Sequence, residues 1–475
     1  MNMANWMSID FGTSSSVAAI IRNRQPELAT PLDCDATGSK IFPTVVYLES
    51  NGNISACHDA ERMKDFDCSR FLREFKFDIH GGVIPDLCVS YTAIVAAVLK
   101  VLKNAAEKSL DDPVENVILT LPATWHGDGV QQQVMLAAAR EAGFKQTELI
   151  KEAQAAAIYY DFIEQNAQGY SLIYDLGGGT FDAAIIKHTG SDYQLVGNSS
   201  GLAIGGKFFT EKITEHYLTR TGINIDYSDS ASLEAILSKC EKIKRHLSNK
   251  ENGEFPVSHQ QNYTITRRDF ESMISEYIDK TLQACEKLTN VAGVKWEELN
   301  RVLLIGGSCN IPLVQTKIKK YLQSLNMGNA HVVWRRTESG KSMDPQFAVA
   351  LGAAVYAVRN FMPLPKPPVH IGVLKRCSNG QIYRLKEGVN TFGRETTLMD
   401  FSFPEDGKMS SSHFSIEVIK HGDAYEYLLT DLGSKGGTVV GNMSLTDKYA
   451  FASQQASLTG GEKIVAGNTK FKFII

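Results

Sequence analysis

Two short segments carry the residues best suited to chemistry. Ile9-Asp10-Phe11-Gly12-Thr13-Ser14 and Tyr174-Asp175-Leu176-Gly177-Gly178-Gly179-Thr180 share the order apolar, Asp, apolar, Gly, Thr. Glycine turns that follow a strand let backbone N–H groups approach a ligand without Cβ interference, and a Thr or Ser hydroxyl adds a donor for a phosphate oxygen. Gly12, Thr13 and Ser14 on one side, and Gly177, Gly178, Gly179 and Thr180 on the other, are placed to grip one polyphosphate from two walls. The carboxylates of Asp10 and Asp175, at the carboxyl ends of their strands, suit water-mediated coordination of Mg2+, a hard ion that keeps several of its waters. One such turn alone reads as a strand-to-hairpin turn; two copies, the second with three successive glycines, favour the ligand site.

Three further segments bear on the same site. Gly201 to Lys207 has the GxxxxGK frame of a P-loop, but Phe208 stands where a Ser or Thr must bind Mg2+, so the frame is read as accidental and only Gly205 and Gly206 as a close-approach turn. In Glu234–Ser248 the residues Ile236, Cys240, Ile243 and Leu247 form one helical face and Glu241, Lys244, Arg245 and Ser248 another. The second face offers an acceptor and donors suited to ribose hydroxyls and an adenine edge; taken alone, Glu241 and Arg245 would be an ordinary i,i+4 surface pair. Gly306, Gly307 and Ser308 follow the apolar run Val302–Ile305 and could lay backbone against a nucleoside.

The elements that must position these residues are legible as an alternation. Apolar runs ending in glycine turns (Trp6–Ser14, Ser171–Phe181, Val302–Ser308) are separated by helix-period stretches (Tyr91–Lys103, Gln131–Ala142, Glu152–Glu164), the pattern of an α/β domain. The two Asp-Gly-Thr segments are too far apart for a solenoid repeat and point to two similar lobes facing a cleft. Four prolines within Phe361–Val369 mark a spacer, here taken as residues 361–369 between an α/β domain at 1–360 and a second domain at 370–475. Short alternating runs beyond it (His413–Ile419, Tyr425–Leu429, Thr469–Ile475) read as an all-β sandwich.

Composition excludes several classes. The 475 residues carry 49 Lys plus Arg against 53 Asp plus Glu, a formal charge of −4, with 43% hydrophobic and 21% charged residues. That is a globular balance with no basic block for counterion release, so neither nucleic acid nor a membrane is expected as partner. Eight scattered cysteines without a CxxC pair give no zinc knuckle or disulfide framework, and with no targeting segment a reducing, cytoplasmic setting is expected.

Together, IDFGTSSS, DLGGGTFD, CEKIKRHLS and VLLIGGSCNIP resemble the two phosphate motifs, the adenosine helix and the adenosine turn of the DnaK-like seventy-kilodalton heat-shock chaperone family, within the actin-like ATPase superfamily. The resemblance spans roughly residues 5–360. It implies a two-lobed actin-like fold with ribonuclease-H-like duplicated lobes, binding of ATP or ADP with Mg2+ between them, and slow hydrolysis by an in-line water. Asp10 and Asp175 would hold the Mg2+ shell, Thr13, Ser14 and Thr180 would contact phosphate, and Asp175, Glu152 and a lysine would orient the water. Pro122 matches the family's interlobe proline. For the lysine, FDCSRFLREFKFDIHGG offers two registers, one placing Ser69 and one Lys76 at the family's position; the apolar spacing and glycine after Lys76 favour the latter. Departures are Asn310 where a family arginine stacks on adenine, which predicts lower nucleotide affinity, Gln131 for an interdomain arginine, Ala153 for a proline, and a short segment between Phe77 and Tyr91. The family's linker and peptide-binding domain are replaced by the proline spacer and another module, so ATP-driven peptide refolding is not expected.

That module, residues 388–475, resembles a forkhead-associated (FHA) domain, a β-sandwich that binds phosphothreonine peptides through loops. Arg394 can donate charge-assisted bonds to a phosphate and Ser410 a neutral one; the resemblance carries Ser411 and Asn442 over as peptide contacts. His413 is expected to brace the loops. Ser411, Gly436 and the Gly441-Asn442 pair depart from the family pattern. The reading that results is a heat-shock-like ATPase tethered to a phosphothreonine reader, an adaptor in Ser/Thr-kinase signalling; a non-enzymatic nucleotide-binding scaffold is the alternative.

Overall fold

Strand Asn5–Asp10, NWMSID, is buried along its middle on both faces, which only the interior of a covered sheet allows. It pairs in parallel with Val114–Leu121, which pairs in parallel with Gln146–Lys151, and on its other side lie antiparallel Ser15–Arg22 and then Gln25–Leu28. The second large sheet repeats that plan. Its central strand Gly169–Leu176 has antiparallel Phe181–Thr189 and Asp192–Asn198 on one side and parallel Leu299–Ile305 and His331–Val333 on the other. The same strand order with the same directions in both sheets is a duplicated, two-lobed α/β fold of the actin-like kind.

The structure is a computed structural model and describes residues 5–32, 39–64, 66–84, 87–125, 129–165, 168–199, 201–223, 230–258, 261–325, 331–337, 340–362, 371–397, 399–421, 424–441, 443–445 and 455–475. It divides into two compact units, Met1–Met362 and Pro363–Ile475. The proline spacer falls almost wholly outside the described residues, as does Asn442.

Two alanine-rich helices, Glu152–Glu164 and Ala348–Asn360, join the lobes. Their buried faces share one core with Ile118 from the first sheet and Ile173, Ile186, Leu303 and Ile305 from the second. Small side chains let the helix backbones meet: a Cβ on Gly352 would lie 1.8 Å from the carbonyl oxygen of Ala155. Helix Tyr91–Leu110 runs seven residues beyond the stretch its periodicity marks, because Ala105 and Ala106 continue the face buried by Val98, Leu99 and Leu102, and the Ser90 hydroxyl caps its start. The apolar run Trp6–Ser14 divides into strand up to Asp10 and the glycine turn Phe11–Ser14.

The second unit is a β-sandwich. One sheet orders Ile382–Arg384, Val373–Arg376, Thr469–Ile474, Lys463–Ala466, Thr438–Val440 and Met443–Leu445; the other orders Phe401–Ser402, Gly388–Gly393, Phe414–His421, Ala424–Asp431 and Gln455–Leu458. Phe392, Phe414, Phe471 and Phe473 fill the space between them, with Phe392 and Phe414 stacked at 4.5 Å. No described helix in either unit is long and apolar enough to cross a membrane.

Candidate functional site

Asp10 is the last and Asp175 the penultimate residue of the central strands of the two sheets, so the duplication brings equivalent carboxylates to the two sides of one cleft. Between them stand Glu152, first residue of its helix, and Lys76, from the short 3-10 turn Phe75–Asp78. The buried Lys76 ammonium donates to Glu152 Oε1 at 2.9 Å and lies 5.8 Å from the Trp125 ring centroid. Glu74, at the turn's entry, adopts φ 59, a left-handed conformation that non-glycine residues avoid. Ser69, the alternative in the lysine's register, instead donates its hydroxyl to Asp67 in an exposed cap. Thr120, on the neighbouring parallel strand, donates to Asp10 Oδ1 at 3.0 Å.

The electrostatics follow from crowding. Burial, aided by Glu152, pushes the Asp10 carboxyl up to about 7 against the pull of Lys76 and Thr120. Asp175 is held well above the carboxylate range by burial and then by Glu152, Asp182 and Asp10. Asp182 is pushed up to about 6, mostly by burial, although the Thr180 hydroxyl donates to it at 2.9 Å. Burial disfavours the Lys76 ammonium, but Glu152, Asp10 and Asp175 outweigh it and raise its pKa. The cluster thus holds more carboxylates than cations, and a bound cation would relieve the repulsion.

The glycine turns meet across the cleft. A Cβ on Gly178 would lie 2.4 Å from Ser14 Oγ, and one on Gly205 2.7 Å from the carbonyl carbon of Gly179. Gly12 is required locally, since a Cβ there would sit 2.2 Å from the Ser15 carbonyl oxygen. The first amides of helix Gly206–Thr221 are spent on protein: Gly206 N–H donates to Gly177 O and Lys207 N–H to Gly178 O. A P-loop needs those amides for phosphate, so the GxxxxGK frame does not act as one. Lys207 instead pairs with Glu74 at 2.6 Å, joining the two lobes, as Arg73 does with Glu234 at 2.9 Å.

On the far side of Gly206, Lys244 is buried and donates to Gly206 O, Thr210 Oγ1 and Glu241. Glu241 also accepts from Arg245 Nε at 2.7 Å and from Thr210. Burial would raise the Glu241 carboxyl, but Lys244 and Arg245 hold it down to about 2. The acceptor expected for ribose is therefore already engaged three ways, and Arg245 is the exposed member of the face. Ser248 lies where the helix ends, with its N–H donating to Arg245 O. Ser308 donates to Gly177 O at 2.8 Å, tying the Gly306–Gly307 turn to the Gly177–Gly179 turn; Gly306 has φ +85 and a Cβ there would lie 2.4 Å from the Leu176 carbonyl oxygen. Asn310 donates to Gly307 O and accepts from both Nε and Nη2 of Arg335, a residue the sequence pattern does not single out.

These residues fit a magnesium nucleotide. Gly178, Gly205 and Gly306 leave room only for backbone where the turns converge. Among the described residues no cluster of three or more His, Cys, Asp or Glu could cage a metal by itself. Mg2+ is ordinarily held through one or two carboxylates, water and phosphate oxygens, and Asp10 and Asp175 would be the carboxylates to hold it.

In the second unit Arg394 is exposed and its N–H donates to Ser410 O at 2.9 Å. Its side chain makes no ion pair among the described residues. Ser410 Oγ accepts from the Lys435 N–H at 3.1 Å, and Ser411 is exposed beside it, its carbonyl oxygen 2.1 Å from where a Gly393 Cβ would stand. His413 is fully buried: Nδ1 accepts from Ser410 N–H at 2.9 Å, which leaves Nε2 to donate to Gly437 O at 3.2 Å. The imidazole braces two loops and does not face solvent.

Comparison with known proteins accords with both units. Residues 85–359 match the family described as Hsp70 protein and residues 390–459 the FHA domain. The chaperone protein HscA homologs of Burkholderia thailandensis and Pseudomonas putida are 29% and 30% identical over 379 and 376 residues, covering 74% of this chain and 58% and 57% of theirs. That of Shewanella denitrificans is 27% identical over 380 residues, with 74% and 58% covered. The chain thus spans less than three fifths of the length of the relatives it matches.

Proposed function

Since the chain belongs to the Hsp70 protein family and carries an FHA domain, we propose that it binds ATP with Mg2+ between its lobes, hydrolyses it slowly to ADP and phosphate, and reads a phosphothreonine-containing protein as an adaptor in cytoplasmic Ser/Thr-kinase signalling. One observation carries the ATPase reading: Lys76 and Glu152 pair at 2.9 Å beside Asp10 and Asp175, where the two glycine turns touch.

Backbone N–H groups of the two turns, with the hydroxyls of Thr13, Ser14 and Thr180, hold the phosphates. Glu152 is placed to accept a hydrogen bond from the attacking water, and Lys76 keeps that carboxylate in position while its ammonium faces the developing charge of the transferring phosphoryl. Asp175 orients the same water from the opposite wall. When bound, Mg2+ neutralises phosphate charge. In the second unit Arg394 supplies the charge-assisted contact to phosphothreonine and Ser410 a neutral donor; Ser411 and Asn442 flank the peptide.

Titration calorimetry of ATP with Mg2+ against the wild-type chain and Asp175→Ala tests the binding reading: heat with the first and none with the second is expected, and no heat with either would reject it. Single-turnover hydrolysis then compares the wild type with Glu152→Ala. A rate that the substitution does not lower would leave a nucleotide-binding scaffold in place of an enzyme.

A further inference from the structure

Asn310 removes an arginine from the edge of the adenosine turn, yet the structure returns a guanidinium to that edge from another element. Arg335 donates through Nε and Nη2 to the single Oδ1 of Asn310, at 3.1 and 2.9 Å. Asn310 in turn donates to Gly307 O at 3.2 Å. Two donors on one acceptor fix the plane of the fork as well as its position. The Trp334 ring covers one side, with the guanidinium carbon 4.8 Å from its centroid, and the residue is otherwise exposed. Arg335 adopts φ 57, which an arginine takes only when surrounding contacts outweigh the strain.

Arg245, in the helix that carries Lys244, is exposed and held through Nε by Glu241. That helix and the Gly306–Ser308 turn approach each other at Gly206, where a Cβ would lie 3.1 Å from both Lys244 Nζ, next to Arg245 in the helix, and Ser308 Oγ, two residues before Asn310. A flat cation immobilised at such a rim, with a face left open, has the geometry for stacking on a π-system.

We propose that Arg335, oriented by Asn310 and backed by Trp334, lies on the nucleobase of the bound nucleotide and is a specificity-determining residue of this site. The assignment rests on the nucleotide-binding reading above and reverses the affinity loss that Asn310 alone predicts. Stacking recognises the base and not the phosphates, so its loss separates probes that differ only in the base.

The test uses the full chain, with ATP and inorganic tripolyphosphate as probes, each with Mg2+, in titration calorimetry. Arg335→Ala should weaken ATP about tenfold and leave tripolyphosphate unchanged, a difference typical of one partly desolvated cation–π contact. Arg335→Lys should not restore ATP affinity, since the planar fork is lost, whereas Asn310→Arg combined with Arg335→Ala should bring it back. Thermal melting checks that each variant is folded. Wild-type ATP binding with an unchanged Arg335→Ala variant overturns the proposal and leaves the nucleotide reading intact, as does an equal loss for both probes, which would mark a general charge or a structural role. Absence of ATP binding by the wild type overturns both.

Discussion

At the level of single residues, Asp10, Glu152, Asp175 and Asp182 crowd around Lys76, and the consequence can be measured as proton linkage. A carboxyl whose folded-state pKa lies above its unfolded value keeps a proton that the unfolded chain has released, so its contribution to stability is present at low pH and lost as the pH rises through the folded value. For Asp10 that window runs from the ordinary 3.8 to about 7. Nucleotide-free protein should therefore lose stability between pH 5 and pH 8, and Asp10→Asn, which removes the charge, should be the more stable by about 2 kcal/mol at pH 8 with a gap that narrows at pH 5. Thermal melts at the two pH values check this; a gap that widens toward pH 5 would refute the assignment. The same substitution should weaken ATP binding. In the other unit, Arg394 makes no ion pair among the described residues, so Arg394→Ala should cost roughly 2 to 3 kcal/mol in phosphothreonine-peptide affinity, the worth of a charge-assisted bond, with an unchanged melting temperature. Fluorescence anisotropy with phosphorylated and unphosphorylated peptides reads it, and equal binding by mutant and wild type would place the phosphate elsewhere.

At the level of elements, two glycines separate function from stability. Gly178 belongs to a turn whose Cβ position is already filled by Ser14 of the facing lobe, whereas Gly352 sits where one helix backbone rests on another. A Ser14 hydroxyl on an exposed turn can yield; the Ala155 carbonyl, inside the interlobe core, cannot. Gly178→Ala should thus abolish or strongly weaken ATP binding with little change in melting temperature. Gly352→Ala should destabilise by about 3 kcal/mol, as overpacking of a close helix contact does. Calorimetry with ATP and thermal melting distinguish the pair, and the opposite pattern would show that the turns do not form the site. The helices also show where periodicity falls short: the stretch Tyr91–Lys103 marks a helix from its apolar spacing, but its continuation to Leu110 comes from burial against the first sheet.

At the level of the whole molecule, two units with separate cores should respond to separate ligands. Scanning calorimetry should resolve two transitions; ATP with Mg2+ should raise the one belonging to residues 1–362 and a phosphothreonine peptide the other, each by mass action on its own unit. A single transition shifted by both ligands would mean that the units unfold as one. The chain's order of residues determines much of this on its own: the paired Asp-Gly-Thr turns, the α/β alternation, the β character of the tail and the family resemblance are all local patterns, set by side-chain period and by the need for glycine at close approaches. What only the tertiary structure decides is pairing between distant segments. The sequence favours Lys76 over Ser69 by local spacing alone, whereas the contact itself comes from the turn at Glu74, which sends Lys76 to Glu152. Glu241 reads as an acceptor for ribose until Thr210 reaches it from another helix, and Asn310 reads as a lost cation until Arg335 arrives from a later strand. Such partners are chosen by where sheets and helices carry them in space, and no spacing along the chain encodes that.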